Sequence, residues 1–208
     1  MRPDLEVVAE LVPPGATVLD LGCGDGSLLE HLIRERGCRG TGVEISDEGF
    51  HACLERGVPV VQGDIDQGLD GVADRHYDVV VLSQTLQAVR RPAFVIEEIL
   101  RVAPLAVVSF PNFGHWPLRA KLLTRGRMPA SRLLPYSWHD TPNIHLCTIA
   151  DFEALVRSTG WRVDRRVLLD ARGRRVRGRA RRPNLTAGGA VYRLAPPAGI
   201  PTRRVPAG

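Results

Sequence analysis

Three acidic residues closing three consecutive apolar runs, together with three alternating glycines, are where this sequence could do chemistry. The first run, Val18-Leu19-Asp20-Leu21, leads into Gly22-Cys23-Gly24-Asp25-Gly26, and Leu28, Leu29, Leu32 and Ile33 follow at helical spacing. That order predicts strand, tight loop and helix. Glycines accept positive φ and let a ligand approach the bare backbone, while the helix start presents unpaired N–H groups. Such a turn suits a nucleotide.

The residues around the turn narrow which nucleotide. Ser27 stands where a dinucleotide fingerprint has its third glycine, which argues against NAD. Asp20 would repel a pyrophosphate but attract a cation. The second run, Gly40 to Ile45, ends on Glu44, a carboxylate suited to accept both ribose hydroxyls, with Ile45 beside it to pack on adenine. After the third run, Val58 to Gln62, Asp64 can accept from the adenine amino group, and Ile65 follows it. Ser83 and Gln84 close the fourth run. Asp20, Gly22, Cys23, Gly24, Gly26, Glu44, Ile45, Asp64, Ile65, Ser83 and Gln84 together predict a site for a cationic adenosyl ligand. S-adenosylmethionine (SAM) fits, as does its demethylated product S-adenosylhomocysteine. One strand-end carboxylate is commonly a helix cap; the recurrence on three strands favours the ligand reading.

These positions need a parallel sheet to align them. A short helix is predicted from Pro3 to Val12, then strands at Thr17–Leu21, Gly40–Ile45, Val58–Gln62, Tyr77–Leu82 and Leu105–Phe110, alternating with helices after Gly26, Asp47 and Pro92. This is an α/β pattern, doubly wound, with ligands at the carboxyl edge where strand order reverses. A helix from Thr148 to Gly160 opens on a capping-box spacing, Thr148 to Asp151. Trp161–Leu169 and Ala190–Leu194 complete a mostly parallel seven-stranded sheet, the last two as a hairpin. One domain, residues 1–194, is expected, with a Pro-rich tail at 195–208 that should be disordered.

Residues 111–148 interrupt the alternation. Five prolines, Trp116, Tyr136, Trp138 and three of the six histidines fall there. The segment is too long for a simple connection and predicts a loop-rich lid or substrate-binding insertion after the fifth strand. If the protein is a methyltransferase, His115 is the candidate general base, with His139 and His145 behind it. Asn112 and Tyr136 would orient an acceptor, and Phe113, Trp116 and Asn143 fall in the same substrate or partner region. Structural hydrogen bonding within a polar loop is the alternative role for each histidine.

Composition bounds the rest. The chain has 208 residues and a net charge of +5, but seven arginines crowd into residues 172–182, and without them the remainder would carry −2. That stretch has no aromatics for stacking on bases and reads as a solvated loop, so nucleic acid is not the expected partner. Cys23, Cys38, Cys53 and Cys147 have no zinc-ligand spacing and read as packed thiols; no metal site is expected. No apolar run nears the ~20 residues that span a bilayer, and the N-terminus lacks the apolar core of a secretory signal. A cytoplasmic protein is expected.

From Val18 to Phe110 the chain resembles class I SAM-dependent methyltransferases. More specifically, Val81-Leu82-Ser83-Gln84-Thr85-Leu86-Gln87-Ala88, Ser109-Phe110-Pro111-Asn112-Phe113-Gly114-His115-Trp116, Gly126-Arg127-Met128-Pro129 and Asp140-Thr141-Pro142-Asn143-Ile144-His145-Leu146-Cys147-Thr148 resemble the methionine biosynthesis protein MetW family. The similarity runs from about Thr17 to Arg166. It implies a methyltransferase fold of methionine synthesis acting beside homoserine O-acyltransferase, either as a SAM-binding protein that tunes that enzyme or as an active methyltransferase. Self-association is left open.

Overall fold

The computed structural model describes residues 1–178 and 181–196. Seven strands form one sheet: β1 (Thr17–Leu21), β2 (Arg39–Glu44), β3 (Val60–Gln62), β4 (Val79–Ser83), β5 (Leu105–Pro111), β6 (Arg162–Leu169) and β7 (Gly189–Ala195). Their order is β3-β2-β1-β4-β5-β7-β6. The first five are parallel, and β7 runs antiparallel to both β5 and β6. The chain steps outward from β1 to β3 and then returns to β4 beside β1. The carboxyl ends of β1 and β4 therefore flank the point where the winding reverses, which opens a cleft there.

Alternation along the strands builds two cores. Leu19, Leu21, Val80 and Leu82 point into one, shared with Ile96, Ile99, Phe110, Phe152 and Tyr192. Val18, Val79 and Val81 point into the other, covered by α1 (Pro3–Leu11) and α2 (Ser27–Arg36) through Val8, Leu29 and Leu32. Side chains two apart share a face, so Asp20 lies on the α1/α2 side with Val18. β4 is buried on both faces, as its unbroken apolar run requires.

Local sequence signals account for most boundaries. Pro3 and Pro92 occupy first-turn positions of α1 and α4 (Pro92–Val102), and Ser46 caps α3 (Asp47–Glu55) by accepting from Gly49 N–H at 3.1 Å. The Thr148–Asp151 capping box opens α6 (Ile149–Ser158) as expected. β3 is shorter than predicted because Pro59 has no N–H to donate, although its carbonyl still accepts from Gly42. β7 extends one residue further at each end than the alternation suggested, so Ala195 belongs to the sheet. The remainder of the expected tail, from residue 197, lies outside the described residues.

Two stretches depart from expectation. The 111–148 insertion contains a regular helix, α5 (Trp116–Arg125), ended by Gly126 at φ 60°. A short α7 (Pro183–Thr186) lies between β6 and β7. The turn leading into α5 is held by Asn112, which is fully buried. Its amide donates to the carbonyls of Asn184 and Ala187 at 3.0 and 2.8 Å, and its oxygen accepts from Gly114 and Ile149 N–H. With every polar atom committed to backbone, Asn112 is a joint between the insertion, α6 and α7. Asn112→Ala strands buried donors and acceptors and is expected to lower unfolding free energy by roughly 3 kcal/mol in urea titration.

Candidate functional site

The glycine loop is fixed by hydrogen bonds that the sequence did not reveal. Gly22 and Cys23 N–H both donate to the carbonyl of Val43, and Gly24 N–H donates to Glu44 Oε2 at 2.8 Å. Glu44 Oε1 accepts from Ile45 and Ser46 N–H at 3.1 and 2.9 Å. Glu44 is thus a buried clamp between loop and β2, and it does not line the cleft. To accept ribose hydroxyls, as the spacing suggested, its carboxylate has to exchange the Gly24 N–H for the ligand. Gly22 adopts φ 69°, and a Cβ there would lie 2.6 Å from the Thr85 methyl, so the loop can pass under Thr85 only as glycine.

Asp20 is the electrostatic anomaly. It is 2 % exposed, and no backbone or side-chain donor among the described residues meets its carboxylate. Burial, reinforced by the nearby Glu44 charge, pushes its pKa up to about 7. It lines a cavity of about 420 Å³ with Gly22, Gly24, Ser27, Ser83 and Gln84. A buried carboxylate without a partner, opening on a cavity, is suited to a cation. Gln84 reaches this wall in a left-handed backbone conformation (φ 57°), its N–H donating to the carbonyl and hydroxyl of Ser109; the Ser109 and Ser83 hydroxyls are 3.0 Å apart.

On the other side of Gly22 lies an apolar cavity of about 210 Å³ lined by Val43, Ile45, Asp64, Ile65, Val89 and Ile144, among others. Ile45 is 64 % exposed, an uncovered apolar face beside that cavity. Asp64 caps a 3₁₀ turn, Ile65–Gln67, with one oxygen accepting from Asp66 N–H; its other oxygen has no such partner. Ile144 was not anticipated. It arrives because Ile144 and His145 N–H both donate to the carbonyl of Gln87, which stitches the insertion to the segment after β4.

A third cavity, about 400 Å³, adjoins the Asp20 cavity and shares Arg2 and Gln84 with it. Gln87, Arg132, Tyr136, Asn143, Arg172 and Arg174 also line it. The start of the arginine-rich segment is therefore a cavity wall. Asp170 accepts from Arg172 and Arg174 N–H, and Gly173 packs against Asp4, which folds the segment back over α1.

His115 precedes α5, and burial holds its pKa below the usual imidazole range, but it lines none of these three cavities. His139 is exposed and packs edge-on to Trp138, and His145 meets the carbonyl of Arg90 through its ring; Phe113 N–H donates to Cys147. Cys23 and Cys53 sulfurs lie 3.7 Å apart, and burial pushes both thiols up, so neither is an activated nucleophile.

The sheet order and this cleft define the architecture of class I SAM-dependent methyltransferases. Solved structures agree on the fold. A SAM-dependent methyltransferase from Archaeoglobus fulgidus superposes with TM-score 0.65 at 16% identity, covering 92% of this chain and 94% of that one. The [4+2]-cyclase SpnF superposes equally well, TM-score 0.65 at 18% identity over 94% and 81%. The chain itself belongs to the methionine biosynthesis protein MetW family, whose model matches residues 2–194. It is 39% identical over 199 residues to the bifunctional methionine biosynthesis protein MetXA/MetW of Rhodopirellula baltica, spanning 90% of this chain and about a third (32%) of that relative's length. Among the described residues no helix is long and apolar enough to cross a membrane.

Asp20 sets a pH dependence of stability. Its unfolded-state pKa of 3.8 lies below the folded value of about 7, so the folded chain keeps a proton that the unfolded chain releases. The contribution of Asp20 to stability is fully present below about pH 4 and is lost as pH rises through about 7. Asp20→Asn removes the ionising group. Without ligand, thermal melts should coincide with wild type near pH 4 and exceed it by several degrees at pH 8.

Proposed function

We propose that this protein binds SAM in the cleft between β1 and β4 and acts with homoserine O-acyltransferase, whose activity it tunes. The cavity chemistry supports the ligand. Asp20 faces where an ammonium and sulfonium would sit, the apolar cavity with Ile45, Ile65 and Ile144 suits adenine, and Asp64 retains an oxygen for its amino group. Glu44 would turn from Gly24 to the ribose. When bound, SAM brings a methyl group activated by its sulfonium.

The observation that carries the partnership is the surface of the insertion. Eight of the thirteen exposed large apolar side chains among the described residues fall between Trp116 and Leu146, including Leu123 at 87 % and Trp138 at 75 % exposure. Such concentration marks an interaction face. The MetXA/MetW relative, with both names on one chain, supports a partner from the same pathway. A SAM-binding partner that favours one state of the acyltransferase shifts its population toward that state.

Methyl transfer is the second reading, favoured by the cavity that adjoins the Asp20 cavity through Gln84. Alignment of an acceptor can suffice for such transfer without a strong base. Appearance of labelled methyl in acceptor pools separates the two readings.

The partnership is checked by co-purification and by acyltransferase assays with and without this chain. Wild type should be retained on the acyltransferase and change its rate, and SAM should alter that change. Leu123→Glu with Trp138→Glu should weaken retention at least tenfold while leaving SAM binding intact. No retention and no change in rate would overturn the partnership.

A further inference from the structure

We infer that the cavity beside the Asp20 site binds a small carboxylate that also carries a hydroxyl or amino group. Four arginines, Arg2, Arg132, Arg172 and Arg174, are among the residues that line it, from three separate segments of the chain. Asp4 is the one acid in the lining, and it faces Arg2 at 3.4 Å. Among the described residues, the Arg132, Arg172 and Arg174 side chains have no carboxylate partner. Among those residues, unpaired arginines also occur elsewhere on the surface, so the feature that sets these apart is that they share one concavity. Converging like charges around one concavity is unfavourable unless an anion neutralises them, and the guanidinium fork matches a carboxylate with two parallel hydrogen bonds.

Gln87 supplies the second observation. It is only 7 % exposed and lines the same cavity. Its Nε2 donates to the Gln84 carbonyl at 2.7 Å, which fixes the amide orientation and leaves Oε1 buried without a partner. An unpaired buried acceptor is costly, so its persistence points to a donor brought by a ligand. Gln84 Nε2 is likewise buried and unpartnered, offering a donor at the boundary with the Asp20 cavity. A cavity of about 400 Å³ falls within the usual range for small-molecule sites. An anion with its own hydrogen-bond donor answers both the arginines and Gln87.

The location beside a methyl donor rests on the proposed SAM site, but the anion chemistry does not. Calorimetric titration of the full chain with L-malate, succinate and inorganic phosphate tests it. L-malate and succinate share two carboxylates and differ in one hydroxyl, and phosphate tests whether charge alone is read. L-malate is expected to saturate the protein and to bind at least threefold more tightly than succinate. Arg172→Ala with Arg174→Ala, both on the exposed segment, should weaken L-malate at least tenfold and leave S-adenosylhomocysteine binding within twofold. Gln87→Met should remove the preference for L-malate over succinate. Phosphate binding as tight as L-malate, no saturation by any of the three, or an unchanged double-arginine variant would overturn the inference. Loss of S-adenosylhomocysteine binding with L-malate binding intact would instead count against the SAM reading alone.

Discussion

Two carboxylates at the carboxyl ends of adjacent parallel strands cannot both be comfortable in a buried setting, and this protein resolves the conflict asymmetrically. Glu44 takes three backbone N–H groups, from Gly24, Ile45 and Ser46, which satisfy its buried carboxylate. Asp20, on the neighbouring strand, receives none and is pushed toward its neutral form by burial and by Glu44. The glycine loop exists in its observed path because Glu44 and the Val43 carbonyl hold it there. Asp20 is left as a destabilising residue that a cation would relieve. A residue that costs stability without a structural return is the physical mark of a binding site.

The rest of the fold is arranged around that asymmetry. The winding reversal places β1 beside β4, so Asp20 and Gln84 meet across one cleft. Thr85 closes over Gly22, and Gln87 draws in Ile144 through its backbone carbonyl. The cleft consequently has three surroundings: an acidic centre, an apolar pocket on the β2–β3 side, and an arginine-lined pocket toward α1 and the segment after β6. Fold alone does not choose between chemistries, as the shared architecture with a [4+2]-cyclase illustrates. The placement of charge within the cleft does.

What was legible in the sequence was mainly local or periodic. The strand–loop–helix at Asp20 to Gly26, the Thr148 capping box, the doubly wound order and the final hairpin follow from patterns of a few residues. The roles that escaped were tertiary. Glu44 accepts from Gly24 N–H, twenty residues away, a contact that spacing along the chain does not reveal. Asn112 follows a strand on the expected edge, and its buried bonds to Asn184 and Ala187, 72 and 75 residues away, were not readable from its neighbours. Arg172 and Arg174 are exposed, as a solvated loop predicts, but nothing in their composition indicates that Asp170 and Gly173 fold the segment back over α1. α5 was hidden within a proline-rich stretch, although Pro117 sits in its first turn, where proline is tolerated.

The central claim is that burial holds Asp20 partly protonated near neutral pH and that a cationic adenosyl ligand shifts it to the carboxylate. Calorimetric titration with SAM at pH 7, repeated in buffers of different ionisation enthalpy, measures the protons exchanged on binding. A group with a pKa of about 7 is close to half-protonated at that pH, so binding should release about half a proton in wild type and essentially none in Asp20→Asn, which should also bind more weakly. SAM binding with no proton release, or with the same release and affinity in Asp20→Asn, would contradict the account.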